Sequence, residues 1–361
     1  MTVAHAAVPA GVEGVSSAEW LTHVLRTDSG LPKTLEVNDI HAQRIAADSG
    51  FSSLLYRLTL RGTPDLPATL IAKLPADSSA RAAMDLLGGY RREVAFYRDV
   101  AARAPMDTPE VYTARLDETS GDFVLLLEDL HHWENADHLA GLSLDRARSV
   151  IGQLAGLHAW SVQPANVAAL RSFPSLAAPV IRELFLPAFG PGWQVYREQT
   201  SASVPRRVAK FAERFTDHAG EALSVLAEHS MLLHGDIRAD NLFFDGNRLK
   251  VADFQMASTG CGIADVAYLV SQGLLATTRR GHDEALVCEY LETLAAHDVS
   301  GYSFDDAWRR YRYGVVYFMV LPVIILNGWE SLPTRSRALC VELVDRAVAA
   351  IYDTDAVEVF S

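Results

Sequence analysis

The segment that most constrains this 361-residue chain is His234-Gly235-Asp236-Ile237-Arg238-Ala239-Asp240-Asn241, together with the hairpin that follows it. Leu242-Phe243-Phe244 and Leu249-Lys250-Val251-Ala252 read as two short strands, and Asp245-Gly246-Asn247 between them is a strong turn signal. Folding back at Gly246 brings Asn241, just before the first strand, beside Asp253, just after the second. Two oxygen side chains then converge at one open end, as a hard, octahedral Mg²⁺ requires. Asp236 stands five residues before Asn241, an offset from which a carboxylate can reach past a metal to a substrate hydroxyl. One carboxylate to accept a proton and an Asn–Asp pair to hold a metal are equipment for phosphoryl transfer. Taken singly, these are also ordinary turn and strand-end residues, so it is their joint occurrence that carries the chemistry.

The rest of the chain divides around this feature. Ser16 and Glu19 form a capping box ahead of Trp20, Leu21, Val24 and Leu25, which predicts a short amphipathic helix. Strands are expected at 54–60 and 68–73, a helix over 80–104 closed by Pro105, and two further strands at 111–116 and 123–127 around Ser120-Gly121. Beyond that, Leu144, Ala147, Ile151, Leu154 and His158 recur at helical spacing, and helices dominate to the end. The expectation is an α+β chain of two unequal lobes: a tail and helix over 1–34, a small β-rich lobe over 35–129, and a larger, mainly helical lobe over 130–361.

Composition narrows the setting. The net charge of −13 comes from an acidic excess spread over the chain, with no basic face to neutralise a nucleic-acid backbone. Three cysteines far apart in sequence suit a reducing cytoplasm better than a disulfide framework or a thiolate zinc site. The first fifteen residues lack the basic and apolar pattern of a secretory signal. The strongest apolar run, Val315 to Leu326, is interrupted by Pro322 and falls short of the roughly 20 residues of a membrane span. A buried helix is expected there, and the chain is assigned to the cytoplasm with neither a nucleic-acid nor a membrane partner.

HGDIRADN followed by VADFQ resembles the catalytic and metal loops of the aminoglycoside phosphotransferase and choline kinase superfamily. Its nearest look-alikes are the ecdysteroid-kinase-like branch and bacterial phosphotransferase-family proteins. The resemblance implies a bilobal protein-kinase-like fold, with Asp236 as catalytic base and Asn241 and Asp253 on Mg²⁺. Lys73, at the end of an apolar strand, and Glu93, 20 residues on, match in spacing the lysine and glutamate that pair in kinase folds, the lysine contacting nucleotide phosphates. Ala47 to Ser53, with Ser49, Gly50 and Ser52, stands where a phosphate loop would lie, although it has one glycine instead of the usual three; an ordinary hairpin turn is the alternative. Leu125 to Leu130 resembles the segment whose backbone, near Glu128 and Leu130, hydrogen-bonds adenine. Asp265 matches an acid that steadies the catalytic loop, with a simple helix cap as the alternative.

The implied activity is ATP-dependent phosphorylation of a hydroxyl on a small molecule. An antibiotic phosphotransferase (aminoglycoside or macrolide), a choline-like kinase and a nucleotide-binding pseudokinase remain alternatives. Acceptor-gripping helices are expected over 161–225, a segment of net charge +2 that carries Phe173, Phe185, Phe189, Trp193 and Tyr196. A polycation would need converging carboxylates, so a neutral or partly apolar alcohol is expected and aminoglycosides should be poor substrates.

Overall fold

Five antiparallel strands in the order β1-β2-β3-β5-β4 organise the first part of the computed structural model, which describes residues 7–45, 53–76 and 79–360. They are β1 Val37–Ile45, β2 Ser53–Gly62, β3 Thr69–Pro75, β4 Val111–Leu116 and β5 Phe123–Glu128. Successive strand residues face opposite sides of a sheet. One face carries Leu58, Leu60, Leu70, Ala72, Leu74, Val124 and Leu126, and buries them against Leu21, Val24 and Leu25 of the helix Ala18–Asp28. Lys73, between Ala72 and Leu74, therefore points to the other face.

That other face meets the helix Gly89–Asp99, where Tyr90 stacks on Phe123 with ring centroids 4.5 Å apart. The single long helix expected over 80–104 is two helices, Ser79–Leu87 and Gly89–Asp99. Gly88 parts them with a left-handed φ of +69°, which a glycine adopts without steric cost. The first amphipathic helix is likewise capped one residue later than expected. Ser17 accepts from the Trp20 N–H at 3.3 Å, while Ser16 closes the preceding single turn Val12–Val15.

The chain divides into two compact units, residues up to 103 with 108–133, and 104–107 with 134 onward. The second unit is mostly helical. Its strands are β6 Glu134–Asn135, β7 Met231–Leu233, β8 Leu242–Asp245, β9 Arg248–Val251 and β10 Ser258–Gly260. The expected hairpin is β8–β9, extended on one edge by β6, and β7 pairs with β10. Gly246 in the turn has φ +59°, as a tight two-residue turn demands. Gln153, on the helix Leu144–Val162, donates to the Leu249 carbonyl at 3.2 Å, and Val251 N–H donates to the Asp107 carbonyl at 2.9 Å. The helix Ile263–Gly273 is buried over its whole length. The apolar run is divided between the helices Phe304–Tyr317 and Val320–Ile325, and Val315, Met319, Val320 and Val323 are fully buried. Residues 304–331 are long and apolar enough to cross a membrane by composition, and in this fold just over half of their most apolar 18-residue window is buried.

Candidate active site

In the helical unit, the loop after β7 carries the sequence-predicted carboxylate. Gly235 has φ +79°, and a side chain there would collide with the Met256 carbonyl, so only glycine lets the loop pass so close to the neighbouring backbone. Asp265, fully buried near the start of the helix Ile263–Gly273, accepts from the His234 N–H at 2.7 Å and the Gly235 N–H at 3.0 Å. Of the two readings of Asp265, loop bracing is the one these contacts match; the cap position belongs to Gly262. His158 supports the same carboxylate at 3.3 Å and bonds Tyr290 through its other nitrogen at 2.9 Å. His234 Nδ1 accepts from the Asp236 N–H at 3.2 Å, and Nε2 lies 3.1 Å from the Ala252 carbonyl. This pattern requires the tautomer with hydrogen on Nε2, and it ties the loop to the end of β9.

The Asp236 carboxylate is partly exposed and has two neighbours that sequence reading did not single out. Arg238 Nε lies 3.1 Å from Oδ1 and 3.2 Å from Oδ2, and the Tyr268 hydroxyl donates to Oδ1 at 3.1 Å. The Asp236 charge raises the pKa of Arg238, which stays a cation. Burial first, and then Asp236, pushes the Tyr268 phenol well above its ordinary value, so it remains a donor. Arg238 could have been found as the base two residues from the acid; a tyrosine 32 residues downstream left no such signal.

Asn241 donates through Nδ2 to the Asp236 carbonyl at 2.9 Å, so its Oδ1 is oriented away as an acceptor. Ala252 N–H donates to the Asn241 carbonyl at 3.0 Å, which extends the hairpin pairing up to the residue before Asp253. Asp253 itself has φ +68°, a strained region for a residue with a side chain. The two ends of the hairpin thus carry an amide oxygen and a carboxylate, groups of the kind that could ligate Mg²⁺.

In the sheet unit, Lys73 Nζ lies 2.7 Å from Glu93 Oε1, and both side chains are buried. Such a pair is costly to desolvate, and removing one partner leaves the other charge without its counterion, at a typical cost of about 3–5 kcal/mol. At the end of β5, Glu128 N–H donates to the Glu110 carbonyl at 2.8 Å, and the Leu130 carbonyl accepts from Trp133 N–H at 2.8 Å. Between them the Asp129 side chain is almost fully buried and held bidentately by Arg57 at 2.6 and 3.1 Å. Burial opposes its ionisation, but the Arg57 and Thr69 hydrogen bonds outweigh burial and hold its carboxyl below the ordinary value. Sequence reading passed over this clamp because its partners are 72 residues apart. Ser49, Gly50 and Ser52 lie outside the described residues.

The aromatic residues expected to grip the acceptor do not line an open wall. Phe173, Phe185, Phe189, Trp193 and Tyr196 are all buried, at most 8% exposed, and form core. Phe189 stacks on Phe215 at 3.9 Å, and Tyr196 donates to Asp345 at 2.6 Å. The basic residues of the segment are partly tied up locally: Arg182 donates to the Gly220 carbonyl, Arg207 pairs with Asp355 and Glu358, and Arg214 pairs with Asp217. A count over sequence could not separate lining residues from core residues in helices whose apolar face points inward.

Residues 48–299 match the ecdysteroid kinase-like family. No curated protein matches the chain. Choline kinase from Cryptosporidium parvum Iowa II superposes with a TM-score of 0.58 at 11% identity, covering 96% of this chain and 100% of that one. The phosphotransferase APH(2″)-IIIa, solved with GDP and kanamycin, gives 0.52 at 14% identity over 91% and 98%. An ethanolamine kinase from Plasmodium vivax gives 0.50 at 11% identity over 88% and 84%. At these identities the likeness establishes a shared fold, and the expected α+β, kinase-like class is borne out.

Proposed function

Because the chain belongs to the ecdysteroid kinase-like family, and is thereby a kinase-like phosphotransferase of small molecules, we propose that it moves the γ-phosphoryl group of ATP to a hydroxyl of a small, neutral or partly apolar acceptor. The observation that carries this reading is the Asp236 carboxylate, oriented by Arg238 and Tyr268 on a loop that also holds Asn241. In this reading Asp236 accepts the hydroxyl proton as the acceptor oxygen bonds to phosphorus. Asn241 and Asp253 hold Mg²⁺, which when bound neutralises phosphate charge. Lys73, kept in place by Glu93, contacts nucleotide phosphates, and Ser49, Gly50 and Ser52 supply the phosphate loop. Adenine is read by the backbone near Glu128 and Leu130, where Glu128 N–H and the Leu130 carbonyl are engaged within the chain. Catalysis is then mainly positioning and charge stabilisation.

Support for an uncharged acceptor comes from the surroundings of Asp236 and not from the 161–225 segment. The Arg238 cation lies directly against the carboxylate. A guanidinium beside the base disfavours a polycation and is compatible with an uncharged alcohol. The test is incubation with Mg-ATP and a library of hydroxylated metabolites, kanamycin among them, read by phosphorylated mass shifts. Products are expected from apolar alcohols and little or none from kanamycin. Efficient kanamycin phosphorylation would overturn the acceptor assignment, and no product from any alcohol would overturn the transferase reading.

A further inference from the structure

We propose that Tyr268 is a positioning residue for phosphoryl transfer: its hydroxyl, together with Arg238, fixes the rotation of the Asp236 carboxylate. The proposal rests on the phosphotransferase reading above and adds a part to it. Asp265 and Tyr268 lie three residues apart on the helix Ile263–Gly273, so they share one face of it. Asp265 anchors the loop backbone at His234 and Gly235, and Tyr268 reaches the side chain of the next residue. One buried helix therefore sets both the path of the loop and the direction of its carboxylate.

The phenol is rigidly held. Tyr268 is 2% exposed, and its ring lies nearly parallel to that of Phe318, at 12°. Its hydroxyl donates to Oδ1, and Arg238 Nε donates to Oδ2 at 3.2 Å. Each carboxylate oxygen thus has one donor, and the two together set the rotation of the carboxylate. As the acceptor oxygen forms its bond to the γ-phosphorus and the bridging P–O bond to ADP breaks, the hydroxyl proton passes to the Asp236 carboxylate. Without the phenol, the single Arg238 hydrogen bond to Oδ2 is left to set the rotation of the carboxylate.

Tyr268→Phe keeps the stack and removes the donor. Two measurements on the full chain test it: hydrolysis of [γ-³²P]ATP with Mg²⁺, water standing in the acceptor's place, and crystal structures of wild type and variant. We expect kcat to fall about tenfold, the usual scale for one hydrogen bond to a charged group, with KM for ATP unchanged. The melting temperature should also be unchanged, and the Asp236 carboxylate of the variant should be rotated or split over two orientations. A purely structural tyrosine would instead lower the melting temperature and leave the carboxylate and kcat as they are, which would overturn the proposal. If wild type itself hydrolyses no ATP, the transferase reading is in difficulty, while the carboxylate orientation in the two crystals still decides whether Tyr268 positions Asp236.

Discussion

Asp253 and Lys73 show what single residues contribute, because each is held in an arrangement that has little use outside the proposed chemistry. Asp253 keeps a left-handed backbone despite its side chain, strain of the order of 1 kcal/mol or more that the hairpin must offset. Asp253→Ala is expected to remove the Mg²⁺ dependence of ATP affinity; calorimetric titration of ATP with and without Mg²⁺ checks this, and a retained dependence would remove Asp253 from the metal site. Lys73→Met takes away the cation beside buried Glu93. It should weaken ATP binding and also lower stability, by about 3–5 kcal/mol. Combining Lys73→Met with Glu93→Gln should recover stability but not binding. The proximity of Asp236, Asn241 and the residue before Asp253 was legible because they stand in one stretch of sequence whose turn chemistry brings them together. Tyr268 and the Arg57–Asp129 clamp were not, since each acts across a long loop of chain and has the composition of ordinary core or surface.

The elements divide in the same way. The hairpin β8–β9 was readable residue by residue, because Asp245-Gly246-Asn247 leaves few alternatives. The helix break at Gly88 was not. Gly88-Gly89 is a paired-glycine break signal, but each glycine costs only about 1 kcal/mol in a helix, and the helical reading runs through the pair. The end of β5 offers a test at this scale. Arg57 on β2 grips Asp129, and the Asp129 carboxylate in turn accepts the His131 N–H at 3.2 Å, which fixes the backbone on either side of Leu130. Arg57→Met should loosen this turn and weaken ATP and adenosine equally, because the loss falls on the base and not on the phosphates. Titrating both ligands checks it; a loss confined to ATP would place Arg57 on the phosphates instead.

For the whole molecule, acid is an informative probe. His138 is almost fully buried in the helical unit, and burial first, then the Arg238 and Arg346 charges, push its imidazole down to about 3. The unfolded chain protonates this group near its ordinary value of about 6.5, so stability is full above that pH and declines as pH falls from there toward 3. The slope contributed is at most about 1.4 kcal/mol per pH unit. Urea midpoints near pH 7.5 and pH 5 should therefore differ more in wild type than in His138→Gln; equal differences would contradict the assignment. Asp129 acts only at lower pH, since its carboxyl is held below its ordinary value in the fold. The kinase-like architecture was legible because HGDIRADN followed by VADFQ resembles the loops of one superfamily. The acceptor was not, because the aromatic residues counted along helices are core. Asp236→Ala, set beside wild type with ATP affinity and phosphoryl transfer measured in the same preparation, probes the proposed chemistry at its centre. ATP affinity is predicted to be unchanged and the transfer rate lower by about 10²–10⁴-fold. Transfer within a few-fold of wild type would contradict the role given to Asp236 and the mechanism built on it.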